Sequence, residues 1–163
     1  MNSLLIFGKT YKPKGRRKDD IQRKVNRLAA KSNGKDMAQS IKEFLTDILH
    51  QELAELYGQI VNDSKIDVFG NLDFEVAETI DKRRRRIAKM KENRIIVKLN
   101  AVSLPKDALK YVVAHEMAHL LSKKHGKKFV KVLESLYPNY SEGEKIFIGN
   151  QEILKAPIKS VYM

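Results

Sequence analysis

Residues 114–129 read "AHEMAHLLSKKHGKKF", and the reading of this stretch decides what kind of domain surrounds it. At 100° per residue, His115 and His119 lie about 40° apart around a helix axis and one turn apart along it, so both imidazoles can reach one ion. Leu109, Val113, Met117 and Leu120 lie further round the same helix and face a core. Glu116 projects between the two directions, suited to reach a water on a metal without being a ligand. That is the geometry of H-E-x-x-H, in which two neutral imidazoles bind zinc and the carboxylate serves as general base. A catalytic zinc takes three protein ligands and leaves a fourth position to water, whose pKa falls to about 7. His125 is the candidate third ligand. The helix would end around Ser122 to Lys124, a turn eased by Gly126 would fold His125 back, and Phe129 would anchor the next helix.

A shuffled chain of this composition would contain H-E-x-x-H in roughly one case in two hundred, so context has to strengthen the motif. The context here is an amphipathic helix after predicted strands, with a third histidine at a usable distance. The bland alternative is a solvated, lysine-rich helix that histidines merely punctuate. Against it, His115, Glu116 and His119 border Val112 and Leu120 instead of sitting among charges. The remaining histidine, His50, has no acidic or histidine companion at metal spacing and reads as a helix-flank residue.

The chain has 163 residues, 42% hydrophobic and 32% charged. That suits one globular unit and excludes a disordered or membrane class. Apolar runs such as Leu4–Phe7 and Ile95–Val97 fall far short of the roughly 20 residues that span a bilayer. The N-terminal stretch lacks the pattern of a secretory signal, which points to the cytoplasm. There is no cysteine, so any metal must be held by His, Asp or Glu. The net charge of +12 attracts polyanions or acidic proteins without naming a partner.

Around the motif, Ser3–Phe7 reads as a short strand and residues 8–18, "GKTYKPKGRRK", as a basic loop. Ile21, Val25, Leu28 and Ala29 predict a short helix from Asp19. Ile41 through Ile60 recur at three and four residues, predicting a long helix over about 36–60. Three β-rich runs follow, "IDVF", "LDFEVAETI" and "RIIVKL", with turns expected at Gly70-Asn71 and at residues 91–93. Pro105 and Asp107 open the motif helix, and Phe129, Val132, Leu133 and Leu136 make another that ends near Pro138. Residues 141–163 show no clear period. The expected architecture is α+β, a small, mostly antiparallel sheet packed on helices that include the H-E-x-x-H helix. Residues 1–35 form a basic arm and short helix, 36–140 the main domain and 141–163 an unassigned tail, the whole making one compact unit.

"YVVAHEMAHLLSKKHGKKFVKVL", residues 111–133, resembles the YgjP-like minimal metallopeptidases, relatives of the SprT and WLM proteins. Members show a Tyr-Val-Val-x-His-Glu-Leu-x-His-Leu helix followed by His-Ser/Gly-x-x-Phe. Tyr111, Val112, Val113, His115, Glu116, His119, Leu120, His125, Gly126 and Phe129 fit that pattern, and "IIVKLN" resembles the strand before the active-site helix. The resemblance covers about residues 36–140. It implies a zincin-like fold whose edge strand receives an extended peptide, with zinc on His115, His119 and His125 and Glu116 as base. That is a minimal, gluzincin-like site with a third histidine. Where members carry Arg-Trp-Gly-Ser before the last strand, this chain reads "DKRRRRIAKMKENR", with Arg86-Ile87-Ala88 near that place.

Lys82–Arg86 places five cations in a row. Their plainest role is to keep an exposed edge from aggregating; the functional alternative is that Arg83, Arg84, Arg85 and Arg86 track phosphates, joined by Arg16, Arg17 and Lys18. The resemblance to the SprT group, whose members are associated with DNA, points the same way by analogy. One of these arginines, or Tyr137 or Tyr140, is a further candidate to polarise a substrate carbonyl. The sequence thus predicts a cytoplasmic zinc metallohydrolase acting on peptide or protein. The rivals are a basic nucleic-acid-binding module with a structural metal and an interaction scaffold without turnover.

Overall fold

The run Arg94–Lys98 carries four consecutive buried positions, which only a strand covered on both faces can supply. In the computed structural model, which describes residues 2–31, 36–66, 70, 72–82 and 86–162 apart from the side chains of Lys159 and Ser160, this strand, β5, is the middle of a three-stranded sheet. Strand β3 (Asp73–Ala77) pairs with it in parallel, Phe74 opposite Ile95, and β4 (Ala88–Lys91) pairs antiparallel, Met90 opposite Ile95. Glu92 and Asn93 turn β4 into β5, with Glu92 at φ 57°. The expected turn at Gly70-Asn71 falls largely outside the described residues.

An N-terminal hairpin joins β1 (Leu4–Ile6) to β2 (Lys9–Tyr11) antiparallel. Sequence patterning leaves β2 inside a basic loop, because a strand with two exposed residues out of three shows no apolar alternation. Phe7 and Gly8 both take positive φ, 50° and 79°, the backbone of a two-residue hairpin turn. The turn docks where Phe7 and Gly8 donate their N–H groups to the carbonyls of Val102 and Ser103, at 2.8 and 2.9 Å.

Helix α1 (Asp20–Lys31) starts where the Asp19 carboxylate accepts the N–H of Gln22 at 2.8 Å, an N-cap. Helix α2 (Met37–Ser64) buries Ile41, Leu45, Ile48, Leu49, Leu53, Leu56 and Ile60, the stripe its periodicity predicts. It stops at Lys65, in a left-handed conformation at φ 59°. A wholly buried 3₁₀ turn, Leu99–Ser103, leads from β5 into α3 (Lys106–Leu121), and α4 (Lys127–Leu136) follows.

The chain after residue 140 is helical: α5 (Tyr140–Gly149), α6 (Gln151–Lys155) and α7 (Lys159–Tyr162). Two of these are about one turn long, too short to show a period. They are held from the core instead. Buried Lys98 donates to the carbonyl of Leu154 at 2.7 Å, and buried Asn100 donates to Ile153 and Ala156, which satisfies carbonyls that a helix end leaves without partners. The α+β class is as expected, and no described helix is long and apolar enough to cross a membrane.

Helix α5 crosses α3 at Gly143, where an added Cβ would sit 2.6 Å from the Asp107 carbonyl oxygen and 2.9 Å from Tyr111 Cβ. Gly58, on the exposed side of α2, has open space around it. We therefore expect Gly143→Ala to destabilise the protein by about 1–3 kcal/mol through overpacking. Gly58→Ala should stabilise it by about 0.4–1 kcal/mol. Urea unfolding midpoints of the two variants check both signs.

Candidate metal centre

Helix α3 carries its burial on Leu109, Val112, Val113, Met117 and Ala118, so the register that seats these side chains turns His115 and His119 toward an open cleft. The helix ends where the Ser122 N–H reaches the Ala118 carbonyl at 2.8 Å, and residues 123–126 bend without helix before α4 begins. The bend brings His125 back. Nitrogens of His115, His119 and His125 lie within 4.8 Å of one another, and the Nε2 atoms of His119 and His125 are 3.0 Å apart. Two nitrogens bound tetrahedrally at 2.0–2.1 Å would stand about 3.3 Å apart. The cluster therefore fits a metal ion with little movement.

Gly126 does not play the part expected of it. Its φ of −144° and ψ of −164° are extended backbone, and a Cβ would meet nothing within 4 Å, so the turn does not need glycine. Phe129, 5% exposed, is the anchor. Its ring centroid lies 5.2, 4.8 and 4.6 Å from those of His115, His119 and His125, so one side chain at the start of α4 backs all three imidazoles.

Burial first, then the neighbouring His115 and His125, holds the His119 imidazolium below its ordinary pKa of 6.5, with Glu116 pulling the other way. The effect favours the neutral ring that a metal requires. Glu116 lies beside His115, Oε1 to Nδ1 at 3.6 Å. Both border a cavity of about 260 Å³ whose other walls include Arg86, Ile87, Ala88, Tyr111 and Phe147. Tyr111 donates its hydroxyl to Glu144 at 2.9 Å, and burial raises its pKa.

The other sequence candidates play different parts. His50 Nε2 donates to the carbonyl of Phe74 at 3.1 Å, pinning α2 to β3 as a helix-flank residue. Tyr137 is buried, with the Lys110 ammonium 4.8 Å from its ring centroid, a packing role. Arg83, Arg84 and Arg85 fall outside the described residues, while Arg86 is exposed at the cleft. Arg17 bonds the Thr10 carbonyl and stacks over Tyr11 on the N-terminal hairpin. Sequence reading placed Arg86-Ile87-Ala88 near the family's Arg-Trp-Gly-Ser segment without fixing a role at the cleft, where all three are walls, and it missed Phe147 as a cleft wall. The one available signal for Phe147 is its helical spacing from Tyr140 and Gly143, within a stretch too short to stand out.

The family model described as "YgjP-like, metallopeptidase domain" matches residues 1–147. No curated protein matches the chain.

If the three imidazoles act together, His125→Ala should weaken metal binding by at least about tenfold, since even residues that only orient ligands cost 10–100-fold. Competition with a chromophoric chelator measures this. The lowered His119 pKa also has a sign for folding. Just below pH 6.5 the unfolded chain binds more protons at this residue than the folded chain. Its contribution is complete above 6.5 and is lost as pH falls through the window beneath. In metal-free protein, unfolding midpoints should decline with falling pH there, and His119→Gln should flatten part of the decline.

Proposed function

The chain belongs to the YgjP-like metallopeptidase family, and from that premise we propose that it is a zinc-dependent peptidase with Glu116 as general base. The observation that carries the reading is the convergence of His115, His119 and His125 within 4.8 Å, at a cleft that Glu116 shares. Three neutral imidazoles suit zinc, with neither thiolate nor a carboxylate set to favour a softer or harder ion. Bound there, zinc supplies Lewis acidity and makes water a nucleophile near neutral pH. Glu116 takes the proton of the attacking water and delivers it to the leaving amine as the peptide bond breaks.

The substrate backbone has a place to lie. Strand β4 is an edge of the sheet. The Lys98 N–H bonds the Ile87 carbonyl at 2.7 Å, so in the antiparallel register 89 pairs through hydrogen bonds with 96, and 91 with 94. Backbone bonding alternates along such a pair, leaving the N–H and C=O groups of Ala88 and Met90 turned to the free edge. Ala88 also lines the cavity beside Glu116. An extended peptide paired there runs past the histidines and is held mainly through its backbone.

Glu116→Gln should keep the metal, measured by elemental analysis, while hydrolysis of an unstructured protein falls by about 10²–10⁴-fold. Zinc-loaded wild-type protein that cleaves nothing in a broad peptide library would overturn the peptidase reading.

A further inference from the structure

We propose that the cleft beside Glu116 continues into a second compartment that binds an acidic side chain, so that the enzyme selects peptides carrying Asp or Glu near the scissile bond. This rests on the peptidase reading and adds a substrate class to it. The first compartment is the cavity at His115 and Glu116. The second, of about 230 Å³, is lined by Ile87, Phe147, Gln151, Leu154 and Lys155. Ile87 and Phe147 wall both. Because Ile87 directly precedes β4, a peptide paired along that edge passes from one compartment to the other.

The chemistry of the second compartment is that of a carboxylate site. Ile87 and Leu154, at 9% and 1% exposure, give it an apolar base, and its polar lining residues are Gln151 and Lys155, the latter also bordering a neighbouring cavity with Glu78. Lys155 has an ion pair with Glu152, but at 3.9 Å and with that carboxylate 98% exposed the pair contributes little. The ammonium is free to exchange it for a better-held acid. Gln151 can donate a second hydrogen bond to the same carboxylate, while a basic substrate side chain would meet Lys155 here and Arg86 at the first compartment.

The compartment is also fixed in place. Its wall, α6, is tied to the core by the buried donors Lys98 and Asn100 through the carbonyls of Ile153, Leu154 and Ala156. Both donors lie on the segment that runs from β5 into α3, so subsite and histidines share one scaffold. Gln151, Leu154 and Lys155 lie beyond residues 1–147, which the family model matches. The polar side chains of the subsite therefore come from the segment after the matched region.

The test uses the zinc-loaded Glu116→Gln protein and two labelled peptides that differ only in carrying Glu or Lys at the positions flanking the central bond. In fluorescence anisotropy the acidic peptide should bind more tightly. Lys155→Glu should weaken it about tenfold and reverse the preference, and Lys155→Gln should give a smaller loss in the same direction. Lys18→Glu makes the same change in net charge at an exposed position before α1 and should have much less effect. No preference in the parent protein, or equal losses in the Lys155 and Lys18 variants, would overturn the subsite. Cleavage assays with the enzyme carrying Glu116 separate the two readings: cutting both peptides equally counts against the subsite alone. Cutting neither while the binding pattern holds counts against the peptidase reading alone.

Discussion

The ring of Phe129 is the contact on which the site depends. Two histidines on one helix meet by helical geometry alone, but the third arrives from a bend, and nothing in a five-residue connection fixes where an imidazole will point. Phe129 does so by placing one buried aromatic face within ordinary ring-contact distance of all three imidazoles. Leu133 and Leu136 carry the same helix into the core. The order of the bend is therefore supplied by hydrophobic burial on its far side.

The same economy governs the route from sheet to site. Strand β5 is buried along its length, the 3₁₀ turn after it is wholly buried, and α3 leaves that turn with its register already set by Ala108, Leu109, Val112 and Val113. Of the polar residues trapped on this route, Ser103 bonds the Asn100 carbonyl, and Lys98 and Asn100 find their acceptors in the C-terminal segment. An ammonium buried without partners would be costly, and the carbonyls at a helix end are the complementary half of the arrangement. Gly143 lets α5 approach α3 closely, which brings Phe147 to the wall of the cleft, its ring 5.8 Å from that of Tyr111.

Charge works at longer range. Lys123, Lys124, Lys127 and Lys128 are exposed around His125, and Arg86 stands at the cleft. On a chain of net charge +12 they produce a positive field at the entrance, which raises the encounter rate of acidic chains without specifying a sequence.

Much of this was readable from local pattern. The spacing of His115, Glu116 and His119, the long stripe of α2 and the anchoring by Phe129 follow from periodicity, and the strand Arg94–Lys98 from its continuous apolar run, signals that one segment carries within itself. What tertiary structure alone decided are meetings between segments far apart in the chain. The parallel pairing of β3 with β5, the insertion of β2 into a basic loop, the helical course after residue 140 and the walls at Ile87 and Phe147 have no local signature. Most of their causes lie in partners far along the chain, such as Lys98 with Leu154 and Phe74 with Ile95, while the hairpin that contains β2 docks on Val102 and Ser103. Gly126 shows the limit from the other side, since a glycine in a turn need not be there for its backbone freedom. The sequence by itself picked out the histidines that could hold a metal ion. Only tertiary packing decided where the third imidazole points, against Phe129, and what borders the cleft, because no local spacing encodes a direction in space.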